Sequence, residues 1–139
     1  MLKAVLDTNV VLSAHLNVYG PSQVIFDLVF SRFFRCFISN SLLEEYEEVL
    51  SRPHFGVDAH KIARSMRLLR KAAILVVPSK RLSVTLDPDD NKVLECALEA
   101  RADYVVTGNV RDYPEQFQDI RIIPPRLFMT LLVAGPTAT

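Results

Sequence analysis

The sequence predicts a single α/β domain, a three-layer α/β/α sandwich around a central, mainly parallel five-stranded sheet. Short, almost continuously apolar runs alternate with segments whose apolar residues recur every three or four positions. This alternation is typical of parallel strands that are covered by helices on both faces. The 139 residues, 50% of them hydrophobic, are enough to bury one core. We expect the domain to span residues 1–133 and to be followed by a flexible tail, residues 134–139.

The first elements follow from apolar spacing and from turn residues. Residues 2–6 form an apolar strand, and the spacing of Val10, Val11 and Ala14 predicts a short helix after it. A turn at residues 20–22 precedes a second helix, and residues 34–38 form the second strand.

The middle of the chain contains two cap signals and one helix stop. Ser41 is expected to cap a helix that ends near Arg52, because Pro53 cannot continue it. Asp58 is expected to cap the next helix, which runs to about residue 71, and residues 73–77 form the third strand.

The last elements begin with a cap and a proline. Asp87 and Pro88 predict the start of a helix that ends near Arg101. Strands at residues 103–107 and 120–123 follow, and a last helix covers residues 125–132.

Polar side chains follow each of the first four strands. Because crossovers between parallel strands are right-handed, the carboxyl ends of the strands share one edge of the sheet, where ligands bind. Four chain segments therefore bring acidic or amide groups to this edge: Asp7, Glu44 and Glu45, Asp89 and Asp90, and Asn109 and Asp112.

Helical phase selects among neighbouring acids. Glu45 borders the apolar stripe of its helix, whereas Glu44 and Glu48 point away from that stripe. Asp90 lies in line with the stripe of the later helix, where a carboxylate is unfavourable unless a partner compensates it. Both acids also have a purely structural alternative. Asp90 could cap the first turn of its helix, and Asp7 could hydrogen-bond to the backbone amides of the turn that follows it.

Charge is balanced overall but unevenly distributed. Sixteen cations match sixteen acids, so net charge does not indicate a nucleic-acid binder. The recurrence of Arg64, Arg67 and Lys71 at three and four residues gives one helix a basic face that suits RNA phosphates. RNA, a protein partner and solvent all remain open as the surroundings of this face.

Four motifs resemble those of the PIN-domain nucleases, and more narrowly the toxins of type II toxin–antitoxin systems. They are residues 6–9, 41–50, 87–91 and 105–114, and the resemblance covers nearly the whole chain. It implies that Asp7, Glu45 and Asp90 are catalytic acids that bind Mg²⁺ or Mn²⁺. It also implies an RNA substrate, an antitoxin partner and a homodimer.

The fourth acidic position departs from that family. Many members have an aspartate there, but this chain has Asn109, whose amide oxygen can still bind a hard cation. Asp112 is the nearest acid, and it either serves as the fourth catalytic residue or only solvates its loop. Thr8, Asn9 and Thr107 are expected to orient metal ligands or waters.

We therefore expect a metal-dependent endoribonuclease in which a metal-activated water hydrolyses RNA and leaves a 5′-phosphate. Two alternatives remain: a catalytically weak scaffold that binds protein or RNA, and an aspartyl-type phosphatase, for which Asn9 stands where a second acid is needed. The sequence contains no signal-peptide pattern and no long uncharged apolar stretch, so we expect a cytoplasmic protein that does not enter membranes.

Overall fold

The computed structural model describes residues 1–134. These residues form six helices and six strands, with two short 3-10 helices at Pro53–Phe55 and Val110–Asp112. The strands are β1 (Lys3–Leu6), β2 (Arg35–Ile38), β3 (Ile74–Leu75), β4 (Tyr104–Val106), β5 (Gln116–Phe117) and β6 (Ile120–Ile123). The helices are α1 (Thr8–Leu16), α2 (Pro21–Phe30), α3 (Asn40–Leu50), α4 (Ala59–Ala72), α5 (Pro88–Ala100) and α6 (Pro125–Ala134).

The predicted fold class is confirmed, with one more strand than expected. The strands form a single sheet in the order β3-β2-β1-β4-β6-β5, in which every pair is parallel except β5 with β6. The prediction of five strands is wrong because β5 contains only two residues, which pair with β6 across a tight turn. A strand this short has no periodicity that a sequence pattern can reveal.

Several boundaries differ from the prediction. Helix α3 begins at Asn40 because Ser39, rather than Ser41, is its cap, and the Ser39 hydroxyl accepts a hydrogen bond from the Leu42 amide at 3.2 Å. Strand β3 contains two exposed residues instead of the five expected. The caps at Asp58 and Asp87 are confirmed. Helix α6 includes Ala134, and the rest of the predicted tail lies outside the described residues.

The sheet order explains where a ligand site forms. From β1 the chain moves outward to β2 and β3, and it then returns to β4 on the other side of β1. Right-handed crossovers therefore place α5 on the opposite face from the helices that connect β1, β2 and β3. Helix α5 packs against β1, β2 and β4, while α2 contacts α1, α4 and α6. The carboxyl ends of β1 and β4 meet at the topological switch point, where open α/β sheets bind ligands.

The core lies between this sheet and its helices. Ala4, Val5 and Leu6 of β1 are almost fully buried, as are Val105 and Val106 of β4. Burial on both faces is why these strands are continuously apolar in sequence. The two cysteines, Cys36 and Cys96, are buried and unpaired core residues. Among residues 1–134, no helix has both the length and the apolar character needed to cross a bilayer.

Candidate metal centre

Asp7 lies at the centre of the polar edge of the sheet. It is 5% exposed, and it caps α1 by accepting a hydrogen bond from the Thr8 amide on Oδ1 at 2.7 Å. Its Oδ2 accepts hydrogen bonds from the Thr107 hydroxyl at 2.8 Å, the Tyr113 hydroxyl at 3.0 Å and the Asn9 amide at 3.3 Å. Asp7 therefore caps α1 and also accepts hydrogen bonds from the segment that follows β4.

Thr107 and Asn9 tie the end of β4 to the start of α1. The Asn9 side chain donates to the Thr107 hydroxyl at 3.2 Å and accepts from the Gly108 amide at 2.8 Å. The backbone N–H of Asn109 also donates to the Thr107 hydroxyl, at 3.0 Å. A side chain on Gly108 would place its Cβ 3.4 Å from the Asn9 oxygen, which is a tight contact. These bonds hold the carboxylate of Asp7 in one orientation, because both of its oxygens have fixed donors.

Asp90 reaches the same place from α5. Its Oδ1 accepts a hydrogen bond at 3.2 Å from the Tyr113 hydroxyl, which also contacts Asp7. The neighbouring acid Asp87 caps the helix instead, through the Asp89 amide at 2.9 Å. Asp87 is thus the helix cap that the sequence predicts, and Asp90, for which the sequence left two roles open, has a side chain that faces Asp7.

The buried side chain of Asn91 holds the loop that precedes Asp90. Its Oδ1 accepts hydrogen bonds from the amides of Val84 at 3.0 Å and Thr85 at 2.8 Å, and its Nδ2 donates to the Thr85 carbonyl at 3.2 Å. These bonds fix the start of α5 relative to the preceding loop, and they thereby fix the position from which Asp90 extends.

Glu45 enters from α3. Its Oε2 accepts a hydrogen bond from the Thr8 hydroxyl, so Thr8 links Glu45 to the residue that follows Asp7. Its Oε1 is buried and receives no hydrogen bond from any residue in 1–134. Helix α3 is fixed beside β1 by Tyr46, whose hydroxyl donates to the Leu6 carbonyl. The unpartnered Oε1 is a buried acceptor that lacks a positive partner.

Burial and nearby acids disfavour the ionised forms of all three carboxyl groups. Burial raises the pKa of Asp7 above its usual value, and the hydrogen bonds from Thr107 and Tyr113 only partly oppose this. Burial and then the charge of Asp7 raise the pKa of Asp90 to about 6. Burial raises the pKa of Glu45 to about 7, against the lowering effect of its hydrogen bond from Thr8. Each shift means that a nearby cation would be stabilising here.

An open cavity of about 430 Å³ lies over these groups. Its acidic wall extends beyond Asp7, Glu45 and Asp90 to four exposed acids: Glu44, Glu48, Asp87 and Asp89. Two cations also line the cavity, and each forms an ion pair with an acid that lies three or four residues before it in the chain. Arg52 binds Glu48 at 2.9 Å, and Lys92 binds Asp89 at 3.2 Å. Lys92 also slightly lowers the pKa of Glu45, but neither cation forms an ion pair with any of the three inner carboxylates.

Some residues predicted for the site lie elsewhere. Asn109 and Asp112 are exposed and do not line this cavity, although the charge of Asp112 contributes to the raised pKa of Asp7 and of Asp90. Arg64, Arg67 and Lys71 are exposed on α4, and none of them lines the cavity. The opposite face of α4 packs into the core, as its sequence predicts.

Tyr113 is the residue that sequence reasoning missed. It is 7% exposed, and within residues 1–134 its hydroxyl is the one group that lies within hydrogen-bonding distance of both Asp7 and Asp90, which share its single proton. Its position four residues after Asn109 gives no pattern by itself, because an aromatic residue in a loop is more often a core residue. A buried tyrosine needs a partner for its hydroxyl, and that requirement was the available signal.

The donor set fits a hard divalent cation. Carboxylate oxygens are the ligands that Mg²⁺ and Mn²⁺ prefer, and the unpartnered Glu45 Oε1, together with three carboxyl groups whose pKa values are raised, marks a place where a cation would be stabilising. Within residues 1–134, no three His, Cys, Asp or Glu side chains are already arranged to hold a metal ion. Binding a cation at this place therefore requires side-chain movement.

The chain is similar to known proteins over most of its length. A family model described as "PIN domain" matches residues 3–111, which include Asp7, Glu45, Asp90 and Asn109 but not Asp112 or Tyr113. An uncharacterized protein of Methanocaldococcus jannaschii is 31% identical over 112 residues, which cover 78% of this chain and 71% of that protein.

Proposed function

Because the chain belongs to the PIN domain family, whose members are generally nucleases, we propose that it is a Mg²⁺- or Mn²⁺-dependent endoribonuclease. The observation that supports this proposal most strongly is the convergence of Asp7, Glu45 and Asp90 from β1, α3 and α5 on one cavity. These acids come from separate parts of the chain. Burial raises the pKa of each of them, and the charge of Asp7 further raises that of Asp90. Such an unfavourable arrangement is typical of a site whose function requires it.

Asp7, Glu45 and Asp90 are the residues that we propose to hold the cation. When bound, a divalent cation neutralises charge on a phosphodiester and makes a nearby water more acidic. Glu45 offers an unpartnered oxygen, and Asp90 has one oxygen engaged only by Tyr113. Asp7 contributes chiefly through its fixed orientation, because Thr107, Asn9 and Thr8 hold both of its oxygens.

Asn109 and Asp112 belong to the outer part of the proposed site. Both follow β4 beside Thr107, and the Asn109 backbone is already bonded to that residue. We propose that the Asn109 amide oxygen or the Asp112 carboxylate joins the site when RNA and the cation bind. An amide in place of a fourth acid adds no negative charge, so we expect any second cation to bind weakly.

We further propose that the chain is the toxin of a toxin–antitoxin pair and that it acts in the cytoplasm. The support is the family membership together with the motif resemblance at residues 41–50 and 105–114. A cognate antitoxin and a second copy of the chain are the proposed protein partners. Phe33 is 54% exposed and is available for such contacts, whereas Phe34 is buried and is not.

Expression in a bacterial host tests the toxin role. We expect growth arrest on induction of the wild-type chain and normal growth with Asp7→Asn at the same protein level. Arrest by both proteins would contradict a toxicity that depends on this site. Normal growth with both, despite RNA cleavage by the purified wild type, would contradict the toxin role while leaving the nuclease intact.

A catalytically weak scaffold is the second candidate. Asn109, in place of the fourth acid, is the observation that favours it. A purified protein that binds RNA but gives the same cleavage rate as Asp7→Asn would support this alternative. A cleavage rate that depends on both the cation and Asp7 would exclude it.

A further inference from the structure

A second cavity opens at the same edge of the sheet. It has a volume of about 660 Å³ and is formed by the loop after β4, by β5 and β6, and by the start of α6. Two arginines line it, Arg111 and Arg121, together with one acid, Glu115. Its other walls include the apolar residues Val110, Ile122, Pro124 and Leu127.

Tyr113 connects this cavity to the candidate metal centre. Tyr113 lines the second cavity, while its hydroxyl contacts Asp7 Oδ2 at 3.0 Å and Asp90 Oδ1 at 3.2 Å. One residue therefore both lines the second cavity and contacts two acids of the candidate metal centre.

The charges in the two cavities are opposite in sign. The first is lined by seven acids and two cations, whereas the second has two arginines and one acid. Arg111 and Arg121 form no ion pair with any residue in 1–134, so their guanidinium groups are available to a ligand. Guanidinium groups bind phosphates through paired hydrogen bonds, and the apolar wall suits a nucleobase or ribose.

We propose that the second cavity binds a nucleotide of the RNA strand next to the bond that is cut, with its phosphate against Arg111 and Arg121 and its base against Leu127. This inference rests on the proposed function, since it assumes that RNA occupies the metal centre. It assigns the main RNA contact to the end of the sheet rather than to the basic face of α4, whose arginines do not line either cavity.

Binding measured without cleavage tests this proposal. A fluorescein-labelled single-stranded RNA of about ten nucleotides is titrated with full-length protein in chelator, and its fluorescence anisotropy is recorded. We expect Arg111→Gln combined with Arg121→Gln to weaken binding about tenfold or more. The slope of log affinity against log salt should also become shallower by about 0.7, because one phosphate that the two arginines neutralise on a single strand is lost.

A matched control separates the cavity from net charge. Arg32→Gln combined with Arg35→Gln removes the same two charges at the amino-terminal end of β2, the opposite edge of the sheet. We expect this control to change the affinity much less than the double substitution in the cavity. Equal effects of the two double variants would overturn the proposal, because binding would then depend only on total charge.

A second pair of variants tests the apolar wall without removing any cation. Leu127→Asp and Val133→Asp place the same charge on two exposed positions of α6, which are 45% and 76% exposed. We expect only Leu127→Asp to weaken RNA binding, and thermal unfolding of both variants shows whether the fold is kept. Equal affinities for the two variants would overturn the assignment of the base to this wall.

The results distinguish this inference from the proposed function. If the wild type binds RNA and the cavity variants do not weaken it, the inference fails while the nuclease proposal stands. If the cavity variants weaken binding but no cation supports cleavage, the nucleotide site stands and the nuclease proposal fails. A wild-type protein that does not bind the RNA at all overturns both.

Discussion

Replacing Asp90 by asparagine should stabilise the protein when no divalent cation is present. Asp90 has a pKa of about 6, compared with 3.8 for an ordinary aspartate, because burial and the charge of Asp7 disfavour its ionised form. The pKa of Asp90 is therefore higher in the folded state than in the unfolded state. As a result, the folded protein loses stability as the pH rises from the unfolded pKa of 3.8 through the folded pKa of about 6. Asparagine has no charge, so the variant avoids this loss.

The magnitude of the stabilisation by Asp90→Asn follows from the pKa shift of Asp90. About two pKa units correspond to a ceiling of about 3 kcal/mol at 1.36 kcal/mol per unit. Because Asp90 is only half-buried, solvent screening reduces this to about 1 kcal/mol. An acid in the first turn of α5 also gains about 0.3 kcal/mol from the helix dipole, which asparagine gives up. We therefore expect the unfolding temperature of Asp90→Asn to rise by about 2–3 °C.

Thermal unfolding followed by circular dichroism measures this effect. In chelator at about pH 8 the variant should unfold at a higher temperature than the wild type, and at about pH 5 roughly half of that gain should remain. Added Mn²⁺ should raise the unfolding temperature of the wild type and have little effect on the variant, because one proposed ligand is gone. Asp27→Asn, at an exposed position of α2, is the matched control.

Two results would refute this reasoning. One is a lower unfolding temperature for Asp90→Asn than for Asp27→Asn in chelator, which would mean that the Asp90 charge is stabilising. The other is an undiminished response of Asp90→Asn to Mn²⁺, which would place the cation elsewhere.

Three further predictions concern neighbouring groups. The metal-free protein should become less stable from about pH 5 to pH 8, because the raised pKa of Glu45 makes the folded state bind protons more tightly than the unfolded state; denaturant titration across this range that showed rising stability would contradict this. Tyr113→Phe removes a donor shared by Asp7 and Asp90, so it should lower the unfolding temperature in chelator by the equivalent of about 1 kcal/mol and enlarge the increase caused by Mn²⁺; an unchanged Mn²⁺ response would show that this hydroxyl and the cation do not share these acids. Asn91→Ala leaves two loop amides without their acceptor, so it should cost about 1–2 kcal/mol and speed proteolysis of the loop before α5; wild-type proteolysis rates would contradict its anchoring role.

The sequence was informative where a local pattern determines the structure. The abrupt end of an apolar run identified Asp7, and helical phase distinguished Glu45 from Glu44 as the acid that borders the core. Glu44 and Glu48 nevertheless line the mouth of the cavity, because an exposed helix face can still border an open site. Phase describes the direction of a side chain from its helix, but it does not show which neighbouring elements surround it.

Features that depend on tertiary structure were not predictable in this way. Strand β5 exists because two residues happen to pair with β6, and Tyr113 reaches Asp7 and Asp90 only after the loop beyond β4 has folded back. The basic face of α4 was predicted from spacing, but its distance from the cavity depends on how α4 packs against α2 and α3. No pattern within a single element determines that packing.

Cleavage of labelled single-stranded RNA by the purified protein tests the central claim most directly. The rate is measured with Mn²⁺, with Mg²⁺ and with chelator, for the wild type, Asp7→Asn and Asp90→Asn prepared identically. We expect cation-dependent cleavage by the wild type and a loss of at least about a hundredfold in each variant, as for removal of a group that stabilises the transition state. Equal rates for the three folded proteins, or cleavage that persists in chelator, would contradict a metal-dependent nuclease at this site.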